Sequence, residues 1–284
     1  FGLIVLHSAS AGSMQMIYKQ MIHFAIAISA MLVIAQIPPY QFKRYSPYLM
    51  LFGIFLLLLV ILFGSKSGGA QRWLDLGFVR FQPSELMKVI VPIAIASILS
   101  EKTLPPKALS VLLSLVAIVV IVLLIAKQPD LGTSLLIGAS GFYVLFFSGV
   151  RIQIMRNNWL NFALISSFIV GSAYIAWNYL LIAYQKKRIM TLIDPSSDPL
   201  GSGYHILQSK IAIGSGGLFG KGLEQGSQSQ LNFLPEHATD FIFSVIAEEL
   251  GLLGVVFLLI IYGLIIYRGF VISFQSEDNF SKLL

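Results

Sequence analysis

Cysteine is absent from these 284 residues, which excludes disulfides and thiol chemistry. Charge is scarce: 11% of residues are Asp, Glu, Lys or Arg, against 56% hydrophobic. With a mean hydropathy of +0.82, that balance excludes a soluble domain of this length and leaves a polytopic membrane protein. Familiar catalytic signatures are also missing. There is no GxGxxG, and Gly220-Lys221 is followed by Gly222 where a P-loop needs Ser or Thr, so no nucleotide cofactor is expected. His7, His23, His205 and His237 are scattered, without HExxH or paired-ligand spacing, which argues against a dedicated zinc site. No nucleophile elbow is present for Ser-His-Asp chemistry. No nucleic-acid motif is visible either. The net charge of +6, from 19 basic and 13 acidic residues, points instead to anionic headgroups or phosphates.

What is present is a series of apolar runs bounded by polar loops. Residues 1–10 read as the tail of a first span, so the chain reads as a segment of a longer protein. Further spans are expected at 17–37, 47–64, 85–100, 108–126, 131–149, 159–183 and 241–267. The span at 85–100 is short and contains Pro92, which favours a kink or tilt. No soluble domain is inserted, and residues 1–284 read as a single transmembrane domain. Two loops are long, 65–84 and 184–239, and an odd number of spans separates each from the tight turn near Lys43 and Arg44. The two long loops therefore share one face, together with the turn KQPDLG at 127–132. Positive charge is nearly balanced between the faces and does not set the orientation.

Four polar clusters fall on that shared face: Arg72 with Asp75, Glu85 with Lys88, Gln128 with Asp130, and Glu236, His237 and Asp240. A charge within a span costs about 2.5–3.5 kcal/mol on insertion scales, so several on one side suggest a polar cavity. In QPSELMK, Ser84 suits a helix cap and Glu85 the positive helix end. Lys88, three residues on, is placed to pair with Glu85, as a structural tie or as a cavity wall. Asp240 sits directly ahead of the apolar run Phe241 to Tyr267, whose only charges are Glu248 and Glu249. Thr239 or Asp240 is a candidate N-cap of that helix, and Asp240 is equally a candidate base.

The second long loop opens on Lys186, Lys187 and Arg188, which read as an interfacial anchor or as a diphosphate-binding group. Tyr204 to Ile213 reads as a short amphipathic helix, ended by Gly214 as a C′ residue. The following GSGGLFGKG reads as a flexible turn or as an anion nest of backbone N–H groups.

Five strings together resemble one family: GGAQRWLDLG (68–77), RFQPSELMK (80–88), QPDLGTS (128–134), DPSSDPLGSGYHILQSKIAIGSGGLFGKG (194–222) and FLPEHATDFIFSVIAEELG (233–251). They occur in order over nearly the whole chain, and they resemble the SEDS proteins of shape, elongation, division and sporulation. The nearest branch is the elongation one. The resemblance implies an all-α polytopic membrane protein, a SEDS-type helical bundle. This chain would hold about seven complete spanning helices and part of a first, of the family's ten.

The resemblance also implies a peptidoglycan glycosyltransferase in the bacterial cytoplasmic membrane. Such an enzyme polymerises lipid II, an undecaprenyl-diphosphate disaccharide-pentapeptide, on the outer face, which would make both long loops extracytoplasmic. The family's essential acid falls on Asp240, its Glu–Lys pair on Glu85 and Lys88, and its QPDLG aspartate on Asp130. Implied partners are a class B penicillin-binding protein, the elongation machinery and membrane lipids, and a divalent cation (Mg or Mn) is implied as cofactor. The chemistry implied is removal of a proton from the acceptor GlcNAc 4-hydroxyl by Asp240 and displacement at the donor MurNAc anomeric carbon. Arg72, Lys88, Lys186, Lys187, Arg188 and Lys210 are candidates to hold the departing diphosphate. Two rival readings use the same residues: a lipid II flippase, and a scaffold that only anchors the transpeptidase.

Overall fold

The computed structural model describes residues 1–10, 12–67, 70–75, 77, 80–101, 104–150, 167, 170–171, 174–199, 201–227 and 239–284. Among these, four helices are long and apolar enough to cross a membrane: Met14–Ala35, Pro39–Phe63, Ala108–Ala126 and Ile242–Gln275. The chain is an all-α polytopic membrane protein with one small sheet. Of the span expected at 159–183, residues 159–166, 168–169 and 172–173 lie outside the described residues. Contacts divide the chain into two compact units, one of Phe1–Gln36 with Tyr179–Gly269, the other of Ile37–Asn178 with Phe270–Leu284.

The second unit is built on α3 (Pro39–Phe63), α4 (Pro83–Leu99), α5 (Ala108–Ala126) and α6 (Leu131–Phe147). α3 begins eight residues earlier than the apolar run suggests, because Pro39 fits the first turn of a helix and carries the start past Lys43 and Arg44. α4 supplies most of the core: Met87, Ile90, Val91, Ile95 and Leu99 meet Leu57 of α3, Ile118, Ile121 and Ile125 of α5, and Ile137 and Val144 of α6. Phe280 and Leu283 of a short terminal helix, Asn279–Leu283, close the same core. The outward faces of α3, α5 and α6 keep large apolar side chains exposed, as a lipid-facing surface requires.

Between α3 and α4 the long loop forms a sheet, β1 (Ser65–Ser67), β2 (Ala70–Asp75) and β3 (Arg80–Phe81), in antiparallel order β1-β2-β3. Runs of two to six residues carry too little periodicity to announce strands, so the sequence reads only a loop there.

The first unit holds α1 (Gly2–Ala9), α2 (Met14–Ala35), α7 (Ala183–Ile193), α8 (Ser202–Ser215) and most of α9 (Ile242–Gln275). The amphipathic helix expected at Tyr204 to Ile213 is α8, two residues longer at each end. Gly214 lies inside α8 rather than past its end; the left-handed residue that follows the helix is Gly217, φ 57°. α9 is broken at Gly251, with φ 64° and ψ −162°. That region is open almost only to glycine. Residues 242–250 are therefore a separate half-helix, with Ser244 to Glu249 buried, while 252–275 continue as an exposed apolar span.

Candidate active site

In the second unit the polar groups are tied to one another. Lys88 Nζ donates to both carboxylate oxygens of Glu85 at 2.8 and 2.7 Å, the pair expected from the i,i+3 spacing. Glu85 keeps 55% of its side chain exposed and Lys88 34%, so the pair is an accessible polar surface of α4. The cap of α4 is Gln82 and not Ser84, because Pro83 takes the first helical position. Ser84 instead accepts from Gln82 Nε2 at 2.8 Å.

Asp130 is the N-cap of α6, accepting from the Thr133 N–H at 3.3 Å. It also accepts from Gln82 Nε2 at 2.9 Å and faces Arg72 Nε at 3.8 Å. Arg72 donates through Nη2 to the Pro129 carbonyl at 2.9 Å. The Arg72 guanidinium, one of six candidates to hold a diphosphate, thus cross-links β2 to the α6 turn. Nor does Arg72 pair with Asp75. The β1–β2 register shifts between Ser65 and Lys66 and leaves Arg72 without a partner there. Asp75 is instead the register partner of Arg80, and Arg80 Nε donates to it at 2.8 Å. That bond, with the Gly77 N–H, holds the Asp75 carboxyl below its ordinary range. Gln128, fully buried, donates to the Leu57 carbonyl at 3.1 Å and ties the same turn to α3.

In the first unit, Asp240 lies in a turn two residues ahead of the half-helix and is exposed. Among the described residues its carboxylate has no hydrogen-bond or ion-pair partner, so it is not acting as a cap. Phe241, next to it, meets the His205 ring of α8, with centroids 6.2 Å apart. Glu236 and His237 lie outside the described residues. Of the other basic candidates, Lys187 pairs with Asp198 at 3.1 Å, and Arg188 lies over the Tyr184 ring at 5.2 Å. Lys210 is exposed and Lys186 half-buried, both without an ion-pair partner among the described residues. The structure thus brings Asp240, Lys186, Lys187, Arg188 and Lys210 into one unit, and Arg72, Glu85, Lys88 and Asp130 into the other.

The glycine-rich loop is neither a free turn nor an open anion nest. Lys221 and Gly222 give their N–H groups to the Glu248 and Glu249 carbonyls, both at 3.0 Å. Leu252 and Leu253 give theirs to the Gly217 and Leu218 carbonyls at 3.0 and 3.2 Å. The approach is so close that a Cβ on Gly220 would stand 2.1 Å from the Glu249 carbonyl oxygen. Beneath Asp240, Lys221 Nζ reaches Glu248 Oε1 at 2.6 Å, and Ser227 Oγ donates to the same oxygen at 3.0 Å. Glu248 is 0% exposed. The sequence reading missed this pair, although two glutamates inside an apolar span require a partner, and Lys221 was the nearest unassigned lysine upstream.

No three His, Cys, Asp or Glu side chains gather to hold a metal ion among the described residues. No described residue is assigned to the implied divalent cation, and no step is routed through one.

The family model for FtsW, RodA and SpoVE, described as cell cycle protein, matches residues 1–284. The chain belongs to the FtsW/RodA/SpoVE family. This is the SEDS membership that the five strings imply. Peptidoglycan glycosyltransferase MrdB of Escherichia coli K12 is 47% identical over 284 residues, which are 100% of this chain and 75% of that protein. Stage V sporulation protein E of Bacillus subtilis is 32% identical over 295 residues, 100% of this chain and 78% of that protein. A chain from a peptidoglycan synthase complex, solved for the coordination of polymerization and crosslinking, superposes with a TM-score of 0.77. It is 26% identical, and the match covers 99% of this chain and 76% of that one. Thermus thermophilus RodA shares the fold, with a TM-score of 0.66 at 24% identity over 99% of this chain and 73% of that one. Family membership and the long apolar helices together make this a multi-pass membrane protein.

Proposed function

We infer that this family member is a peptidoglycan glycosyltransferase, and we propose that Asp240 is its general base. The supporting sequence fact is 47% identity across the whole chain to an enzyme of that name. The observation that carries the residue assignment is the exposed Asp240 carboxylate, unpartnered among the described residues, at the head of a buried half-helix. A base needs a lone pair that nothing else occupies and a fixed support beneath it. Arg72, Glu85, Lys88, Asp130 and Glu248 are each engaged by a neighbour.

The proposed substrate is lipid II. Asp240 takes the proton of the acceptor GlcNAc 4-hydroxyl as that oxygen forms a bond to the donor MurNAc anomeric carbon. The bond from that carbon to the diphosphate oxygen breaks, the configuration inverts, and undecaprenyl diphosphate leaves with the electron pair. One carboxylate suffices because the leaving group is already stable once its charge is held, unlike the alkoxide in most glycoside hydrolysis. Lys186, Lys187, Arg188 and Lys210, in the same unit as Asp240, are proposed to hold that charge. We place this chemistry on the outer face of the cytoplasmic membrane, with a class B penicillin-binding protein as partner. The similarity to a chain of a peptidoglycan synthase complex supports the partnership.

The test is polymerisation of labelled lipid II by the purified intact protein with its partner in detergent, where there are no sides to flip between. Glycan chains support the enzyme. Their absence, with transport of lipid II across reconstituted bilayers, returns the flippase reading.

A further inference from the structure

The break in α9 is the feature that the proposed chemistry leaves unexplained. An apolar helix crossing a membrane satisfies its own backbone, and nothing in the run from Ile242 to Gln275 forces an interruption except Gly251. At the break, the Glu248 and Glu249 carbonyls accept from Lys221 and Gly222, and the Leu252 and Leu253 N–H groups donate to Gly217 and Leu218. Residues 242–250 therefore take their direction from the loop and not from the helix that follows. Side chains add two further ties: Ser209 Oγ of α8 lies 2.6 Å from Ser244 Oγ, and Lys221 Nζ lies 2.6 Å from Glu248 Oε1 and 2.9 Å from Ser227 Oγ.

An ion pair whose carboxylate is buried and whose lysine is half-buried is a poor device for stability alone, since apolar side chains of similar size often hold elements together as well or better. It does specify one register, because any slip leaves Glu248, 0% exposed, without its ammonium. We propose that Lys221 and Glu248 are positioning residues: their ion pair fixes the half-helix that presents Asp240, about two turns above Glu248. This rests on Asp240 being the base. The pair touches no substrate and acts through the backbone of residues 242–250. A misplacement of about 1 Å at a reacting group lowers turnover by up to about a hundredfold without abolishing binding.

The test compares Lys221→Met, Lys221→Arg and Glu248→Gln in the intact protein with its partner, by steady-state polymerisation of lipid II and by thermal unfolding. Lys221→Met is expected to lower kcat about tenfold to a hundredfold, with KM within about threefold of wild type. Lys221→Arg, which keeps the charge and the donor, restores most of kcat. Should Lys221→Met fail to fold, Glu248→Gln, which keeps its shape and an acceptor for Nζ, carries the same expectation at smaller size. The absence of cysteine from these 284 residues permits a rescue: a disulfide from Ser209→Cys and Ser244→Cys re-ties the half-helix to α8. Oxidation of that pair should raise kcat in the Lys221 or Glu248 variant. Unchanged kcat in folded Lys221→Met or Glu248→Gln, whatever the melting point, overturns the positioning role. Asp240→Asn measured in parallel separates the two ideas: full activity there removes the base and leaves the Lys221 result to be read alone.

Discussion

Ser8 Oγ donates to Glu249 Oε2 at 2.5 Å across 241 residues of sequence. The same hydroxyl accepts from the Glu224 N–H at 2.8 Å, so one serine joins α1, the glycine-rich loop and the half-helix. Glu249 is 2% exposed, and its other oxygen has no hydrogen-bond partner among the described residues. Ser8→Ala should therefore destabilise the protein by about 1–3 kcal/mol, the usual result of stripping a donor from a buried acceptor. A lowered melting temperature in detergent checks this, and Ser8→Thr, which keeps the hydroxyl, should lose less.

Gly251 carries a backbone conformation that side chains resist, and a Cβ there would stand 2.3 Å from the Gly220 nitrogen. Gly251→Ala should cost about 1–3 kcal/mol from the backbone alone. It should also loosen the loop, seen as faster hydrogen exchange at the Lys221 and Gly222 amides.

Asp130 serves Thr133, Gln82 and Arg72 at once. Asp130→Ala should cost about 0.5–2 kcal/mol as a lost cap, and more because half-buried Arg72 then lacks its counter-charge. Asp130→Asn, which still accepts from Thr133, should fall between the two in melting temperature.

Asp75 titrates below its ordinary 3.8 because Arg80 and then the Gly77 N–H bind the charged form. A depressed carboxylate contributes stability above its unfolded pKa and loses it as pH falls through the folded one. The β2–β3 pairing should thus be unchanged from neutral pH to about 4 and weaken only below that. Arg80→Gln should remove the dependence. Amide exchange across residues 70–75 against pH measures it.

The sequence carried the long-range outline but not the joints. Ala108–Ala126 is an apolar run without a charge, broken only by Ser110 and Ser114, and falls where hydropathy puts it. The Glu85–Lys88 pair was readable because its partners are one helical turn apart. Lys221 and Glu248 are 27 residues apart and Ser8 and Glu249 are 241 apart, so no local pattern announces either contact. Gly251 was hidden for a different reason: a glycine within an apolar run hardly alters its hydropathy, and only the packing against Gly220 reveals the break. Arg72 and Asp75 sit close in sequence yet bind different partners, because strand register and not proximity chooses them. At Asp240 the sequence offered both a cap and a base. The structure leaves its carboxylate without a backbone partner among the described residues, so no cap bond is seen there.

The most direct test of that assignment is glycan polymerisation from lipid II by the intact protein with its partner, wild type against Asp240→Asn. Asparagine keeps the size and the exposed turn but cannot take a proton. A loss of about 10²–10⁴-fold in turnover, with lipid II binding and melting temperature retained, is the predicted result. Turnover within a few-fold of wild type contradicts it.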